Sequence, residues 1–185
     1  LIAHAAALGS AVGPLDATGG LLAQDDDASG GASNVAPAAC RNRRRLMVIA
    51  EQRGRFLMVE EHADGQIRFN QPAGHLEDRE SLVDAVVREC LEETAWHFEP
   101  QALVGIYRWR NPDSDATFLR ATFSGRCLQH DIGRRLDTEI IAAHWLSADA
   151  IRARVDRLRS PLVLRSMDDY LAGQRYPLDI LVDLP

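Results

Sequence analysis

The chain has 185 residues and a formal net charge of −6, and it contains no run of about 20 apolar residues of the kind that spans a membrane. The length suits one domain, and the acidic charge argues against a general nucleic-acid binder. Three scattered cysteines indicate neither a disulfide framework nor a zinc site, which favours a cytoplasmic setting. Every basic side chain is arginine, which excludes a Walker-type P-loop and Schiff-base chemistry.

Composition divides the chain near residue 43. Residues 1–43 are rich in Ala, Gly, Ser and Asp and contain no aromatic residue, which predicts a disordered N-terminal extension. Residues 44–185 have the patterning of a folded domain.

The domain is predicted to begin with three short strands. Residues 46–50 and 56–60 favour a hairpin, with its turn at Arg53 and Gly54. Residues 67–71 form the third predicted strand, which leads into a loop that begins at Pro72.

An amphipathic helix is predicted after this loop, with Ser81 and Asp84 as its capping pair. Glu89, Glu92 and Glu93 follow at i, i+3 and i+4, so their carboxylates share one face of the helix. Such a cluster suits a hard divalent cation, although a solvated acidic face would give the same spacing.

The second half of the domain is predicted to hold more strands and two helices. Strands are predicted at residues 103–109, 117–124 and 140–145, with a turn at 111–113 between the first two. Ser147 is expected to cap a helix that runs to about residue 157. Ser160 and Pro161 are predicted to begin a last helix, which Gly173 ends.

Taken together, the loop and the acidic helix resemble the Nudix box. The matching residues are Gly74, Glu80, Arg88, Glu89, Glu92 and Glu93. The resemblance to the Nudix hydrolases implies an α/β fold, a Nudix-type α/β/α sandwich around a mixed β-sheet. Two positions depart from the pattern: Ala95 replaces the late glycine, and Cys90 occupies a hydrophobic position. Ala95 is strained only if this position needs a positive φ, and Cys90 is expected to be a buried, inert thiol.

The resemblance extends over about residues 46–181 and is greatest to a subgroup of bacterial Nudix phosphatases. The segments that carry it are residues 56–61, 70–77, 159–163 and 173–178. It implies hydrolysis of phosphoanhydride bonds in nucleoside tri- and diphosphates and in pyrimidine or thiamine pyrophosphates, with release of orthophosphate. One departure is Arg41 with the run Arg43 to Arg45, where relatives have an apolar first strand, so either this strand is shortened or the sequence upstream is foreign.

The resemblance also implies a set of site residues. Mg²⁺, or Mn²⁺ in its place, is expected to bind the three glutamates Glu89, Glu92 and Glu93 and the carbonyl group of Ala73. Arg88 is expected to orient nearby carboxylates through a salt bridge to Glu80 or to a neighbouring glutamate. The general base is either a box glutamate such as Glu92 or the later Glu139.

Five residues are predicted to contact the substrate, which is a small phosphoanhydride: Phe69, Gln71, His75, Tyr107 and Trp109. Aromatic residues on strands also suit a core, and a loop histidine also suits a solvated surface. Arg120 is a further candidate for a phosphate contact.

Two other functions fit the same residues. One is a pyrophosphatase that splits an ADP-sugar or a dinucleotide, and the other is a non-catalytic nucleotide-binding regulator with a Nudix-like domain. The intact glutamate set argues against the regulator. A monomer without nucleic-acid or membrane partners is expected.

Overall fold

The computed structural model describes residues 43–184. The prediction of a disordered extension falls outside this part of the chain, apart from Arg43. The strands are β1 (Arg43–Gln52), β2 (Arg55–Ala63), β3 (Gln66–Asn70), β4 (Ala73–His75), β5 (Trp96–Arg110), β6 (Thr117–His130) and β7 (Ile140–Ser147). The α-helices are α1 (Leu82–Thr94), α2 (Ala148–Arg152) and α3 (Leu162–Leu171), and 3-10 turns lie at Val155–Arg157 and Leu178–Ile180. Within residues 43–184 no helix is long and apolar enough to cross a membrane.

Strand β1 lies in the interior of the mixed sheet. It runs parallel to β6, with Val48 opposite Phe123, and antiparallel to β4, with Met47 opposite Ala73. Residues 46–50 are all buried, because helices cover both faces of this strand. The first of the two alternatives, a shortened strand, was wrong: pairing with β6 starts at Arg43, since the backbone ladder does not depend on the side chains. The second, a foreign sequence upstream, lies outside the described residues.

The other strands form two antiparallel groups around β1. Strand β2 pairs with β3 and β7, and the predicted hairpin between β1 and β2 is confirmed. Arg53 and Gly54 have φ of 53° and 74°, the left-handed pair that a tight two-residue hairpin requires. Strands β5 and β6 form a hairpin that is longer than predicted, and its turn is held by Asn111, whose Oδ1 accepts a hydrogen bond of 2.8 Å from the Asp113 N–H.

Helices pack on both faces of the sheet and create two cores. Ala85, Val86 and Cys90 of α1 pack against one face. Ile151 of α2 and Val163 and Met167 of α3 pack against the other face. The protein is therefore an α/β/α sandwich around a mixed sheet, which confirms the predicted fold class.

The helix after β7 is shorter than predicted. Ser147 caps it as expected, because its Oγ accepts a hydrogen bond of 3.2 Å from the Ala150 N–H. The helix ends at Arg152, however, and the chain continues through the 3-10 turn rather than as one helix to residue 157.

The ends of α3 agree with the prediction only in part. Gly173 follows the helix with φ of 84°, as a helix-ending glycine does. Ser160 does not cap the N-terminus, because its buried hydroxyl has no hydrogen-bond partner among the described residues.

Candidate active site

Helix α1 is fixed at its start by the predicted capping pair. Ser81 Oγ accepts a hydrogen bond of 3.0 Å from the Asp84 N–H and donates one of 2.7 Å to Asp84 Oδ2. The apolar face of the helix, which includes Cys90, is buried in the core. The neighbouring thiol of Cys127 and burial raise the pKa of Cys90 well above its usual range, as expected for an inert thiol. The opposite side of α1 carries the glutamates.

Strand β4 crosses directly over this acidic side. The Ala73 N–H donates a hydrogen bond of 2.8 Å to Glu93 Oε2. At Gly74 a Cβ atom would lie 1.7 Å from Cδ of Glu89, so a side chain here would force the Glu89 carboxylate to move. Glycine at this position therefore allows the Glu89 carboxylate to keep its place against β4.

Arg88 joins the loop to the helix through its whole guanidinium group. Nε and Nη2 donate hydrogen bonds of 2.8 and 2.9 Å to the two oxygens of Glu80, so the predicted salt bridge is present. Nη1 donates at 2.9 Å both to Glu89 Oε1 and to Glu92 Oε2. Nη2 also donates at 3.0 Å to the carbonyl oxygen of His75. The arginine thus sets the positions of three carboxylates and one loop at once.

The carboxylates differ in their electrostatic environments. The hydrogen bonds from Arg88 hold the pKa of Glu80 below its ordinary value. Burial raises the pKa of Glu89 even though Arg88 opposes the shift. Burial also raises the pKa of Glu93 well above its usual range, although the Ala73 N–H acts in the other direction. Two of the box glutamates are therefore carboxylates whose charge needs further compensation.

These residues form one wall of a cleft of about 690 Å³. Its eight lining carboxylates are Glu61, Asp64, Glu77, Glu89, Glu92, Glu93, Asp137 and Glu139. Only three arginines, Arg45, Arg88 and Arg159, line it as well. The cleft is thus strongly acidic, as a cation-binding site for phosphorylated substrates would be.

Comparison with known proteins agrees with this geometry. The NUDIX domain family matches residues 41–165. The chain belongs to the Nudix family. Phosphatase NudJ of Escherichia coli strain K12 is 41% identical over 135 residues, which are 73% of this chain and 87% of that protein. As a member of this family with phosphatase relatives, the protein is a Nudix hydrolase.

Solved structures show the same fold. A Nudix hydrolase from Nitrosomonas europaea superposes with a TM-score of 0.75 and is 46% identical, covering 77% of this chain and 97% of its own. A UDP-X diphosphatase reaches a TM-score of 0.61 at 14% identity, covering 78% of this chain and 70% of its own, which shows the fold alone.

Nudix hydrolases generally use divalent metals, and the residues in the cleft suit such an ion. Glu89, Glu92, Glu93 and the Ala73 carbonyl all offer oxygen, which hard divalent cations prefer. In residues 43–184 no three acidic, histidine or cysteine side chains converge on one point. Nη1 of Arg88 bonds to Oε1 of Glu89 and Oε2 of Glu92, so the other oxygen of each carboxylate is not engaged by Arg88.

The predicted substrate residues lie in different parts of the structure. His75 and the candidate base Glu139 line the Nudix cleft. Trp109 lies outside it, in the wall of a neighbouring cavity, with its ring stacked on Phe118 at 5.5 Å between centroids.

The other three predicted substrate residues belong to the packing of the second face. Phe69 is buried in the core there, under the guanidinium group of Arg157. Gln71 Nε2 donates a hydrogen bond of 2.9 Å to the Val163 carbonyl oxygen. The Tyr107 hydroxyl donates one of 3.0 Å to Asp169 Oδ2. The pattern of apolar residues predicts that these side chains are buried. It does not predict which of the two faces of the sheet covers them.

Sequence reasoning missed four of the eight carboxylates of the cleft, namely Glu61, Asp64, Glu77 and Asp137. Glu61 on β2 is buried beside Arg159, with 3.6 Å between Arg159 Nε and Glu61 Oε1. Asp137 lies in the loop before β7, and its N–H donates a hydrogen bond of 3.1 Å to the Glu92 carbonyl oxygen. In the sequence Glu61 comes shortly after the apolar run of residues 56–59 of β2, and a charged residue continuing a strand with this apolar pattern is the signal that could have identified it.

Proposed function

We propose that residues 44–185 form a metal-dependent phosphatase of the Nudix family. Its substrates are nucleoside tri- and diphosphates and pyrimidine or thiamine pyrophosphates, and its product is orthophosphate. The observation that carries the proposal is the acidic cleft in which Arg88 holds Glu80, Glu89 and Glu92. The 41% identity to phosphatase NudJ supports orthophosphate release over other Nudix reactions.

Mg²⁺ is the proposed cofactor, and Mn²⁺ can replace it. Glu89, Glu92, Glu93 and the Ala73 carbonyl would hold it. One or more such ions would neutralise phosphate charge and lower the pKa of a water molecule. Arg88 orients the glutamates, and the buried backbone of β4 fixes Glu93 through its hydrogen bond to Ala73.

Hydrolysis also needs a group that accepts a proton from the attacking water. Glu92 lies in the cleft beside Arg88, and Glu139 lines the same cleft from the loop before β7. The segment that carries Glu139 is held against β2, because the Glu139 carbonyl oxygen accepts a hydrogen bond of 2.8 Å from the His62 N–H. Either carboxylate can act as the base in this proposal.

The remaining assignments are also proposals. His75 is the substrate contact that the cleft supports best, since it lies beside the glutamates. Trp109 is proposed to contact the part of the substrate that extends into the neighbouring cavity. A monomer in the cytoplasm, without a nucleic-acid partner, remains the prediction from the sequence.

The test is product analysis with Mg²⁺ and with EDTA on a panel of nucleoside tri- and diphosphates, thiamine pyrophosphate and ADP-ribose. We expect orthophosphate from the nucleotides or thiamine pyrophosphate. Glu92→Gln and Glu93→Gln should each lower turnover by at least about 100-fold, since several kcal/mol of charge stabilisation is lost at about 1.36 kcal/mol per factor of ten. Glu99→Gln is the matched control, because Glu99 is on β5 and pairs with Arg126 away from the cleft.

Other products would replace the proposal. Nucleoside monophosphate and a sugar phosphate from ADP-ribose, without orthophosphate, would assign the protein as a sugar-nucleotide pyrophosphatase. Nucleotide binding without turnover of any compound would assign it as a regulator.

A further inference from the structure

A second cavity, of about 360 Å³, adjoins the acidic cleft and has the opposite charge. Arg45, Arg68, Arg120 and Arg159 line it, whereas its lining carboxylates are only Asp64 and Asp113. Arg45 and Arg159 also line the acidic cleft, so the two cavities meet at these side chains.

Arg120 is the unusual member of this cavity. Its side chain lies on the interior strand β6 and is only 2% exposed. Neither Nε nor Nη1 has a hydrogen-bond partner among the described residues. A buried cation without hydrogen bonds costs several kcal/mol, and an apolar side chain of similar volume would fit a core at lower cost.

The surrounding charges compensate Arg120 only in part, because Glu61 is the one carboxylate that favours its charged form and Arg45 and Arg159 repel it. Arg159 hydrogen-bonds to Asp64 and lies 3.6 Å from Glu61, so it already engages the nearby carboxylates. Burial, and then the repulsion by Arg45 and Arg159, lowers the pKa of Arg120 to about 10. The guanidinium group is therefore still charged at neutral pH, and within residues 43–184 it forms no salt bridge of its own.

Strand pairing places the charge of Arg120 near the box glutamates. Arg45 on β1 is directly opposite Arg120 on β6 in the parallel ladder. Arg45 Nη1 also lies 3.5 Å from the carbonyl oxygen of Ala73, which borders the box glutamates. An anion bound by these arginines would therefore lie beside a phosphate held in the acidic cleft.

We infer that Arg120, Arg45 and Arg159 form an anion subsite that receives a second phosphate group of the substrate. The identity of this anion rests on the proposed function, whereas the existence of the subsite does not. A phosphate there would supply the hydrogen-bond acceptors that Arg120 lacks, and planar guanidinium groups suit phosphate oxygens. The preferred substrates then carry at least two phosphates in a row.

The test measures pyrophosphate binding by calorimetry in EDTA, so that neither metal nor turnover is involved. We expect wild-type protein to bind pyrophosphate, and Arg120→Met to bind it at least tenfold more weakly. Arg126→Met is the matched control, because Arg126 is on the same strand but exposed and paired with Glu99. Its affinity should equal that of the wild type.

Stability separates a binding role from a structural one. If Arg120 serves binding and its burial destabilises the fold, Arg120→Met should melt at the same temperature as wild type or higher. A lower melting temperature or failure to fold would make Arg120 structural and overturn the inference, as would unchanged affinity in Arg120→Met. No pyrophosphate binding by wild type would overturn it too.

A further variant keeps this test apart from the proposed function. Glu93→Gln should retain pyrophosphate binding in EDTA, because Glu93 is absent from the arginine-lined cavity. Absence of phosphatase turnover alongside intact binding would contradict the proposed function and leave the subsite standing. Normal phosphatase turnover by wild type, with unchanged pyrophosphate binding in Arg120→Met, would support the proposed function and overturn the subsite.

Discussion

Arg88 and Arg120 lie in adjoining cavities and have opposite environments. Arg88 is 23% exposed in its side chain and hydrogen-bonds to Glu80, Glu89 and Glu92, with Glu80 first among the groups that raise its pKa. Arg120 is more deeply buried, lacks hydrogen bonds at Nε and Nη1, and has its pKa lowered by burial to about 10. Arg88 stabilises its surroundings. The buried charge of Arg120 destabilises the fold, and binding of an anion would offset this destabilisation.

The same contrast holds for the cavities as wholes. Eight carboxylates face three arginines in the acidic cleft, and four arginines face two carboxylates in its neighbour. A phosphate chain is itself anionic. In the acidic cleft it needs bound cations to offset the carboxylates, whereas in the neighbouring cavity the arginine side chains supply the positive charge. Substitution of a residue that lines only one cavity should therefore leave the other cavity intact.

The largest effect is expected from Gly74→Ala. The added Cβ would lie 1.7 Å from Glu89 Cδ and force this carboxylate out of place. Magnesium-dependent turnover should fall at least about 100-fold, which corresponds to about 2.7 kcal/mol of transition-state stabilisation. Pyrophosphate binding in EDTA should stay unchanged, because Gly74 does not line the arginine cavity.

Gly133→Ala is the control for this substitution. The nearest atom to a Cβ at Gly133 is Asp131 Oδ1, at an ordinary 3.8 Å, so turnover should be normal. Full activity in Gly74→Ala would show that the position of Glu89 does not matter for the reaction.

Methionine at each arginine should change stability in opposite directions. Arg88→Met leaves Glu80, Glu89 and Glu92 close together without their cation, and should lower the free energy of unfolding by about 2 kcal/mol. Arg120→Met removes a buried charge that lacks hydrogen bonds at Nε and Nη1, and should not lower the free energy of unfolding. Urea unfolding in EDTA measures both values. Equal destabilisation of the two variants would remove the distinction between these arginines.

Local patterns explain how much of the fold and the site could be predicted. The hairpin at Arg53 and Gly54 and the cap at Ser81 depend on neighbouring residues, so their signals stand in the sequence. The spacing of the box likewise places Glu89 and Glu93 on one side of α1.

Non-local pairing explains what could not be predicted. Arg45 meets Arg120 only through the parallel ladder between β1 and β6, which the sequence pattern does not specify. Phe69 and Tyr107 are on predicted strands, but the side of the sheet on which they pack depends on where α3 lies. The arginine-lined cavity is therefore a property of the folded chain.

The smallest effect concerns the ends of the helices beside the two cavities. Helix α3, which follows Arg159, ends with Gly173 at a φ of 84°, whereas α1 ends with Ala95 at a φ of 59°. Alanine in this left-handed conformation is strained by about 1–2 kcal/mol, and its buried methyl group returns about 0.8 kcal/mol. Ala95→Gly should therefore leave the free energy of unfolding up to about 1 kcal/mol higher than the same change does at an exposed position without strain.

Ala172→Gly is the matched control for Ala95→Gly, since Ala172 caps α3 with an ordinary φ of −72°. Glycine there relieves no strain and adds freedom to the unfolded chain, so stability should fall by about 0.5–1 kcal/mol. Urea unfolding of both variants compares the two helix ends directly. A loss of stability in Ala95→Gly as large as that in Ala172→Gly would mean that the left-handed end of α1 carries no strain. Turnover should be normal in both variants, because neither alanine lines the acidic cleft.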